Sequence, residues 1–344
     1  MTRPPLRLGS RGSRLSLRQA ETVRESLRRI APDLDVQIVV VHTAGDRAPD
    51  VPLERLEGVG FFAKELEAAL LDGRCDVAVH SAKDLPTAIH PDLCLAAIPP
   101  RADPRDVLVA RGGLRLACLP PGARIATSSL RRSAQLRHHR PDVVTVPVRG
   151  NIDTRLGKLE RGGFDALCLA GAGLLRMGWE DRVTEWLSPE VLLPAPAQGA
   201  LAVEARRADH DLVALLRSLD DAATREAVTA ERAFLARLGS GCRAPAAALA
   251  TVAGGRVMLE GLVAREDGSV VVRHRGGGPV GGAAWLGMAL ADALVARARH
   301  LLEDPAGGEA GSHPGDRRSP APEGPRGWQA ARPPALPALR PEAS

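Results

Sequence analysis

Short apolar runs alternate with helix-period segments over roughly the first two-thirds of the chain, and that alternation leaves few folds open. Residues 6–8, 36–41 and 75–79 read as strands, with helices over 13–30 and 62–71 between them. Strand, helix and strand in that order are the units of a parallel sheet with crossover helices. A Pro-rich hinge at 99–104 precedes a second block of the same kind, with strands at 124–127, 143–146 and 166–169. Residues 193–199 form a second hinge, after which a strand at 200–203 and a helix at 209–217 return to the first block. Two crossings between two α/β blocks predict two lobes around a cleft, lobe 1 from 1–99 and 200–219, lobe 2 from 100–199.

The pattern then changes. A helix over 222–238, β-like segments at 246–252, 256–264 and 269–275, and a last helix over 283–303 predict an α+β domain at 220–303 with a three-stranded antiparallel sheet. Residues 304–344 hold 9 Pro and 6 Gly without periodicity, the composition of a disordered tail. The stretch 43–60, rich in Gly, Pro and charge, has the length of a mobile lid loop.

Composition narrows the function. With 344 residues, 44% apolar and 25% charged, this is an ordinary globular chain. No run approaches the ~18–20 apolar residues of a membrane span. The first eight residues lack the apolar core of a secretory signal, so a cytoplasmic location is expected. Five cysteines without zinc-type spacing suggest neither a disulfide framework nor a metal site. Cys75, Cys94, Cys118 and Cys168 read as small core residues, while Cys242 lies in a Gly/Ser/Pro loop. The net charge of +5 raises nucleic acid as a partner, yet only 2% of residues are aromatic, leaving little to stack on bases. Nucleic acid is therefore not expected.

His80-Ser81-Ala82-Lys83-Asp84-Leu85-Pro86 ends the strand at 75–79 and carries polar side chains to the carboxyl edge of the sheet. Open α/β sheets bind ligands at that edge. Three basic clusters sit at strand-to-helix turns: 9–14 with Arg11, Thr127-Ser128-Ser129-Leu130-Arg131-Arg132, and 149–155 with Arg149 and Arg155. Cations in a first helical turn oppose the helix dipole by roughly 0.3–1 kcal/mol each. An anion bound across the turn and the guanidinium groups reverses that cost. Singly, each arginine of so Arg-rich a chain reads as a solvated surface residue. Together they predict a cleft lined by Arg11, Lys83, Arg131, Arg132, Arg149 and Arg155, facing one carboxylate and suited to a polyanion. His138-His139 and Gly276-Gly277-Gly278 read as surface and loop.

These motifs, with 196–200 (Pro-Ala-Gln-Gly-Ala) and 241–245 (Gly-Cys-Arg-Ala-Pro), closely resemble those of the porphobilinogen deaminase family, also called hydroxymethylbilane synthase, over residues 6–303. The resemblance implies two periplasmic-binding-protein-like lobes and a third domain with a cysteine loop. It implies a transferase that condenses four porphobilinogens head to tail, losing ammonia, on a dipyrromethane held covalently by Cys242. Asp84 is the implied catalytic acid. Lys83, Ser81, Thr127, Ser129, Arg131, Arg132 and Arg155 would hold the dipyrromethane; Arg11, Gln19, Arg149, Arg155 and Gln198 would hold porphobilinogen. No metal is implied, and nothing demands more than a monomer. Val59, Arg14 and Arg243 depart from the family's usual Lys, Pro and Gln or His. A solute receptor or sensor domain of the same bilobal shape is the rival reading, and neither explains a loop cysteine in an added domain.

Overall fold

The computed structural model describes residues 4–42, 63–239 and 245–302. The expected lid at 43–60, Val59, Cys242, Arg243 and the tail at 304–344 lie outside the described residues. In chain order the elements are β1 Leu6–Ser10, α1 Arg14–Ile30, β2 Val36–Val40, α2 Lys64–Leu71, β3 Val77–Ser81, β4 Leu93–Ala97, β5 Asp106–Ala110, β6 Arg124–Ala126, α3 Leu130–His139, β7 Val144–Val146, α4 Ile152–Glu160, β8 Ala166–Ala170, α5 Gly171–Met177 and β9 Glu185–Trp186. Then follow β10 Leu201–Arg206, α6 His210–Arg217, α7 Ala222–Leu238, β11 Ala246–Ala253, β12 Arg256–Ala264, β13 Val271–Pro279 and α8 Ala283–Leu302.

Two five-stranded sheets carry the lobes, in the orders β2-β1-β3-β10-β4 and β7-β6-β8-β5-β9. In the first, β1, β2 and β3 are parallel, but β10 enters antiparallel between β3 and β4. The sheet is thus mixed, where the alternation alone read as parallel. Its core is explicit in the sequence. Ala20, Val23 and Leu27 lie on one face of α1 at 3- and 4-residue spacing and pack on Leu8, Val36, Val77 and Val203, all buried. Each such Val or Leu side chain contributes roughly 1.5–3 kcal/mol by leaving water. Ser13 caps α1, its Oγ accepting from Ser16 N at 3.2 Å.

Both crossings meet at Gly199. Its carbonyl accepts from Ala102 N at 3.2 Å, and its φ is +89°. A Cβ there would stand 2.5 Å from Ala102 O, so the two hinge strands come this close only around glycine.

The third unit places β11-β12-β13, antiparallel, against α7 and α8. Gly276, Gly277 and Gly278 lie in β13 opposite Leu259, Met258 and Val257, which corrects the loop reading. The Met258 side chain fills the space above Gly277, where a Cβ would sit 2.5 Å from its sulfur. This unit is tied to both lobes. Arg232 Nη2 donates to Pro86 O of lobe 1 at 2.7 Å, and on the lobe 2 side Arg101 pairs with the fully buried Glu231 at 2.7 Å. Two further expectations change. Cys118 is exposed, its 3-10 turn lying at the surface. His80 falls inside β3 and is buried, because Glu204 on β10 offers its ring a partner. Among the described residues no helix is long and apolar enough to cross a membrane.

Candidate active-site cavity

A cavity of about 630 Å³ opens between the lobes. The 3-10 turn Ala82–Asp84, the first turn of α1, and the N-terminal turns of α3 and α4 all reach it. Strand β3 ends at Ser81, whose Oγ accepts from Gln19 Nε2 at 2.8 Å, and both residues line the wall. Asp84 is exposed to the cavity.

The wall is cationic. Arg11, Arg14, Arg132, Arg149, Arg155, Arg176 and Lys83 line it, against Asp84 and Asp153. Burial pushes the Lys83 ammonium down to about 8, with Arg132 adding to the shift and Asp84 opposing it. Burial also lowers Arg155 to about 10, helped by Arg132 and Arg149. Arg176 is lowered to about 10 by burial, and its Nη2 donates to Gly199 O at 2.7 Å. Arg149 keeps a buried Nη2 with no hydrogen bond. Arg14 lies over the Trp179 ring at 5.4 Å.

Behind this wall stands a second acid, absent from the sequence reading. Asp106, the first residue of β5, is fully buried and takes Arg131 Nη1 and Arg132 Nη2, both at 2.7 Å. Against the opposing effect of burial, the two guanidinium groups hold its carboxyl down at about 2. Gln198, also fully buried, donates to Asp106 Oδ1 at 3.0 Å and to Pro104 O at 2.8 Å. Its Oε1 accepts from Lys83 Nζ at 3.4 Å, so one amide links the two lobes' charged groups.

The expected residues therefore divide. Arg11, Gln19, Ser81, Lys83, Asp84, Arg132, Arg149 and Arg155 share the cavity. Arg131 does not line it. Its guanidinium turns inward to Asp106 and to Leu193 O, 2.7 Å away, which corrects its placement on the cleft wall. Gln198 is likewise enclosed rather than open to a substrate. Thr127 Oγ1 accepts from Ser129 N at 3.2 Å, and Ser129 Oγ caps α3 by accepting from Arg132 N at 3.4 Å. Both build the turn that aims Arg132. Sequence reading passed over Arg176, the single arginine of α5, because nothing beside it marks a binding turn. It also passed over Asp106, whose strand-opening position gave no sign of charge partners.

The family model described as porphobilinogen deaminase, dipyromethane cofactor binding domain, matches residues 6–214, and that of the porphobilinogen deaminase C-terminal domain matches 225–296. Among the relatives is the porphobilinogen deaminase of Roseiflexus castenholzii, 50% identical over 85% of this chain and 96% of its own. That of Acidothermus cellulolyticus is 51% identical over 87% of this chain and 92% of its own. Similar solved structures include a double mutant of the VFT2 domain of Bordetella pertussis BvgS, with a TM-score of 0.38 and 18% identity over 63% of this chain and 86% of that one. The periplasmic aliphatic sulphonate binding protein SsuA of Escherichia coli has a TM-score of 0.37 and 18% identity over 68% and 70%. Half of the residues are shared with curated relatives along nearly their whole length, and two family models cover both lobes and the third unit: the chain belongs to the porphobilinogen deaminase family.

Proposed function

We propose that this chain is the transferase that joins four porphobilinogen molecules head to tail, releasing ammonia at each addition and giving hydroxymethylbilane for tetrapyrrole synthesis. The observation that carries the reading is one cavity in which six arginines and a lysine face Asp84. Porphobilinogen bears an acetate and a propionate, so every unit brings two negative charges. Planar guanidinium forks bind carboxylates bidentately, and Arg149 still has a buried donor for one to satisfy.

A dipyrromethane, with the same side chains, fits the same donors. Ser81, Lys83, Arg132 and Arg155 would hold it from the wall, with Thr127, Ser129 and Arg131 supporting Arg132 from behind. Cys242 is its proposed attachment, through a thioether. When bound, it supplies the nucleophilic pyrrole carbon to which porphobilinogen adds.

Arg11, Gln19, Arg149 and Arg155 orient the incoming porphobilinogen, and Gln198 acts on it indirectly, through Lys83. Positive charge spreads over the pyrrole as ammonia leaves. A fixed carboxylate stabilises that charge and accepts hydrogen bonds from pyrrole N–H groups. In this reading Asp84 takes that role and also accepts the proton that the ring carbon gives up. In this reading residues 1–99 with 200–219, 100–199 and 220–303 are the three domains of a cytoplasmic monomer.

Intact mass of the freshly purified full chain, read beside porphobilinogen consumption, tests the reading. A dipyrrole adduct at Cys242 and steady ammonia release are expected. A bare thiol that porphobilinogen cannot prime would overturn it.

A further inference from the structure

Among the described residues two glutamates are fully buried, Glu204 on β10 and Glu231 on α7. Their surroundings differ. Glu231 takes both Arg101 nitrogens, at 2.7 and 3.0 Å, and the amides of Ala197 and Ala250 at 2.5 and 2.7 Å. That is a structural carboxylate with its oxygens satisfied. Among the described residues Glu204 has one hydrogen-bond partner, His80 Nε2 at 3.0 Å from Oε2, while Oε1 is buried with no hydrogen bond. A buried carboxylate left half-satisfied costs stability.

The strands go out of their way to place it. Val203 pairs with Ala97, but Glu204 pairs with Leu95, so β4 bulges at Ala96 where Glu204 enters the sheet. Bulges of this kind re-aim side chains, and they gather beside active sites. Glu204 and His80 lie on the sheet face covered by α2 and α7, away from the cavity. Glu67 on α2 feels this site, since burial first and the Glu204 charge second raise its carboxyl above the usual range. Arg232, the residue after Glu231 on α7, is a cation within electrostatic reach of Glu204. Its Nη2 donates to Pro86 O at 2.7 Å and Thr87 O at 3.2 Å.

The two contacts bracket Asp84. His80 is four residues before it, Pro86 and Thr87 two and three after. We propose that Glu204 is a positioning residue for Asp84: through His80 at one end and Arg232 at the other, it holds the turn 80–87 so that the acid stands at a fixed depth in the cavity. The proposal rests on the reading of Asp84 as the catalytic acid.

Glu204→Gln in the full-length chain keeps volume and a polar contact to His80 but removes the charge that both ends share. Misplacing a reacting group by a fraction of an ångström lowers turnover, so kcat is expected to fall about 10–100-fold with KM within about twofold and the Cys242 adduct mass unchanged. Arg232→Met acts at the other end and is expected to lower kcat alone by about tenfold. Because both act on one turn, the double variant should fall no more than about threefold below the worse single one. Glu204→Asp, retaining the charge, should recover part of the loss. Unchanged kcat in Glu204→Gln, or multiplicative losses in the double variant, would sink the proposal; if Glu204→Gln does not fold, Arg232→Met decides by its kcat against KM. Asp84→Asn is measured in parallel. Normal turnover in Asp84→Asn would remove the underlying reading, whereas an inactive Asp84→Asn beside a normal Glu204→Gln removes the positioning role alone.

Discussion

Asp84 and Asp106 stand on opposite lobes, each next to cationic side chains, and they do opposite things with them. Asp106 is sealed from water and absorbs two guanidinium groups and an amide. Asp84 is open to the cavity and forms none of the close ion pairs that Asp106 makes with its arginines, and Arg149 there keeps a buried Nη2 with no hydrogen bond. Burial is what separates them. An enclosed carboxylate has to be paired, so the arginines it draws in become part of the frame. An exposed one is solvated, so its neighbours stay available for a ligand. Arg132 shows both consequences, since Asp106 anchors it and it still reaches the cavity.

Neutralising each acid in turn should have opposite effects on turnover and on stability. Asp84→Asn should lower turnover about 10²–10⁴-fold, the range of electrostatic and proton-transfer contributions. Its unfolding midpoint in urea should move little, because the ion pairs of a solvent-exposed carboxylate carry about 1 kcal/mol or less. Asp106→Asn should do the reverse. Leaving Arg131 and Arg132 buried without a counter-charge costs about 3–5 kcal/mol, visible as a lower urea midpoint. The same pair sets an acid limit. The Asp106 carboxyl is depressed to about 2, so its stabilisation is complete above the ordinary carboxylate value and is lost as pH falls from about 4 towards 2. A wild-type acid limb that Asp106→Asn retains unchanged would contradict this.

A subtler test compares arginines. Arg176 lines the cavity with one donor held by Gly199 O, while Arg131 is spent on Asp106 and Leu193 O. Arg176→Leu should raise KM about 10–50-fold, the loss of a charge-assisted contact, at nearly constant stability. Arg131→Leu should instead lower the urea midpoint, with KM changing less than in Arg176→Leu. Equal KM effects in the two would mean that Arg131 reaches the ligand after all.

How much of this was legible beforehand follows from the same physics. Local signals carried the fold: the 3.6-residue spacing of Ala20, Val23 and Leu27, the Ser13 cap, and the short runs that became β1, β2 and β8. The β3 segment was found because its polar end is abrupt, although the strand reaches two residues further. Pairings between distant residues were not legible. Nothing near Asp106 announces Arg131 and Arg132, which arrive from a helix some 25 residues on. Nothing near His80 announces Glu204, 124 residues away. The Gly276–Gly278 run misled because glycine normally marks loops, whereas here it makes room for Met258 across the ladder. The turn at Arg131 and Arg132 could be placed because the Ser129 cap is local, but whether each guanidinium faces the cavity or the core depended on Asp106, from a distant strand.

Lys83 lies between the two regimes, and the smallest effect comes from it. It is half-buried, lined up with Gln198 on one side and open to the cavity on the other. Burial lowers its ammonium from 10.5 to about 8, so the folded chain binds fewer protons there than the unfolded chain between those values. This group's contribution to stability therefore rises as pH climbs from about 8 to 10.5, because the cost of enclosing its charge disappears. Ligand binding moves the other way: above about pH 8 the cavity loses a cation, and affinity for a carboxylate-bearing substrate should fall about threefold to tenfold by pH 9. In Lys83→Arg the guanidinium keeps its charge, and the dependence should flatten over the same window. KM measured from pH 7 to 9.5 on both proteins reads the difference, with each titrated for stability in parallel. If the two KM profiles superimpose, the cavity's titration belongs to another group, and Lys83 joins Arg131 among the cations spent on the frame.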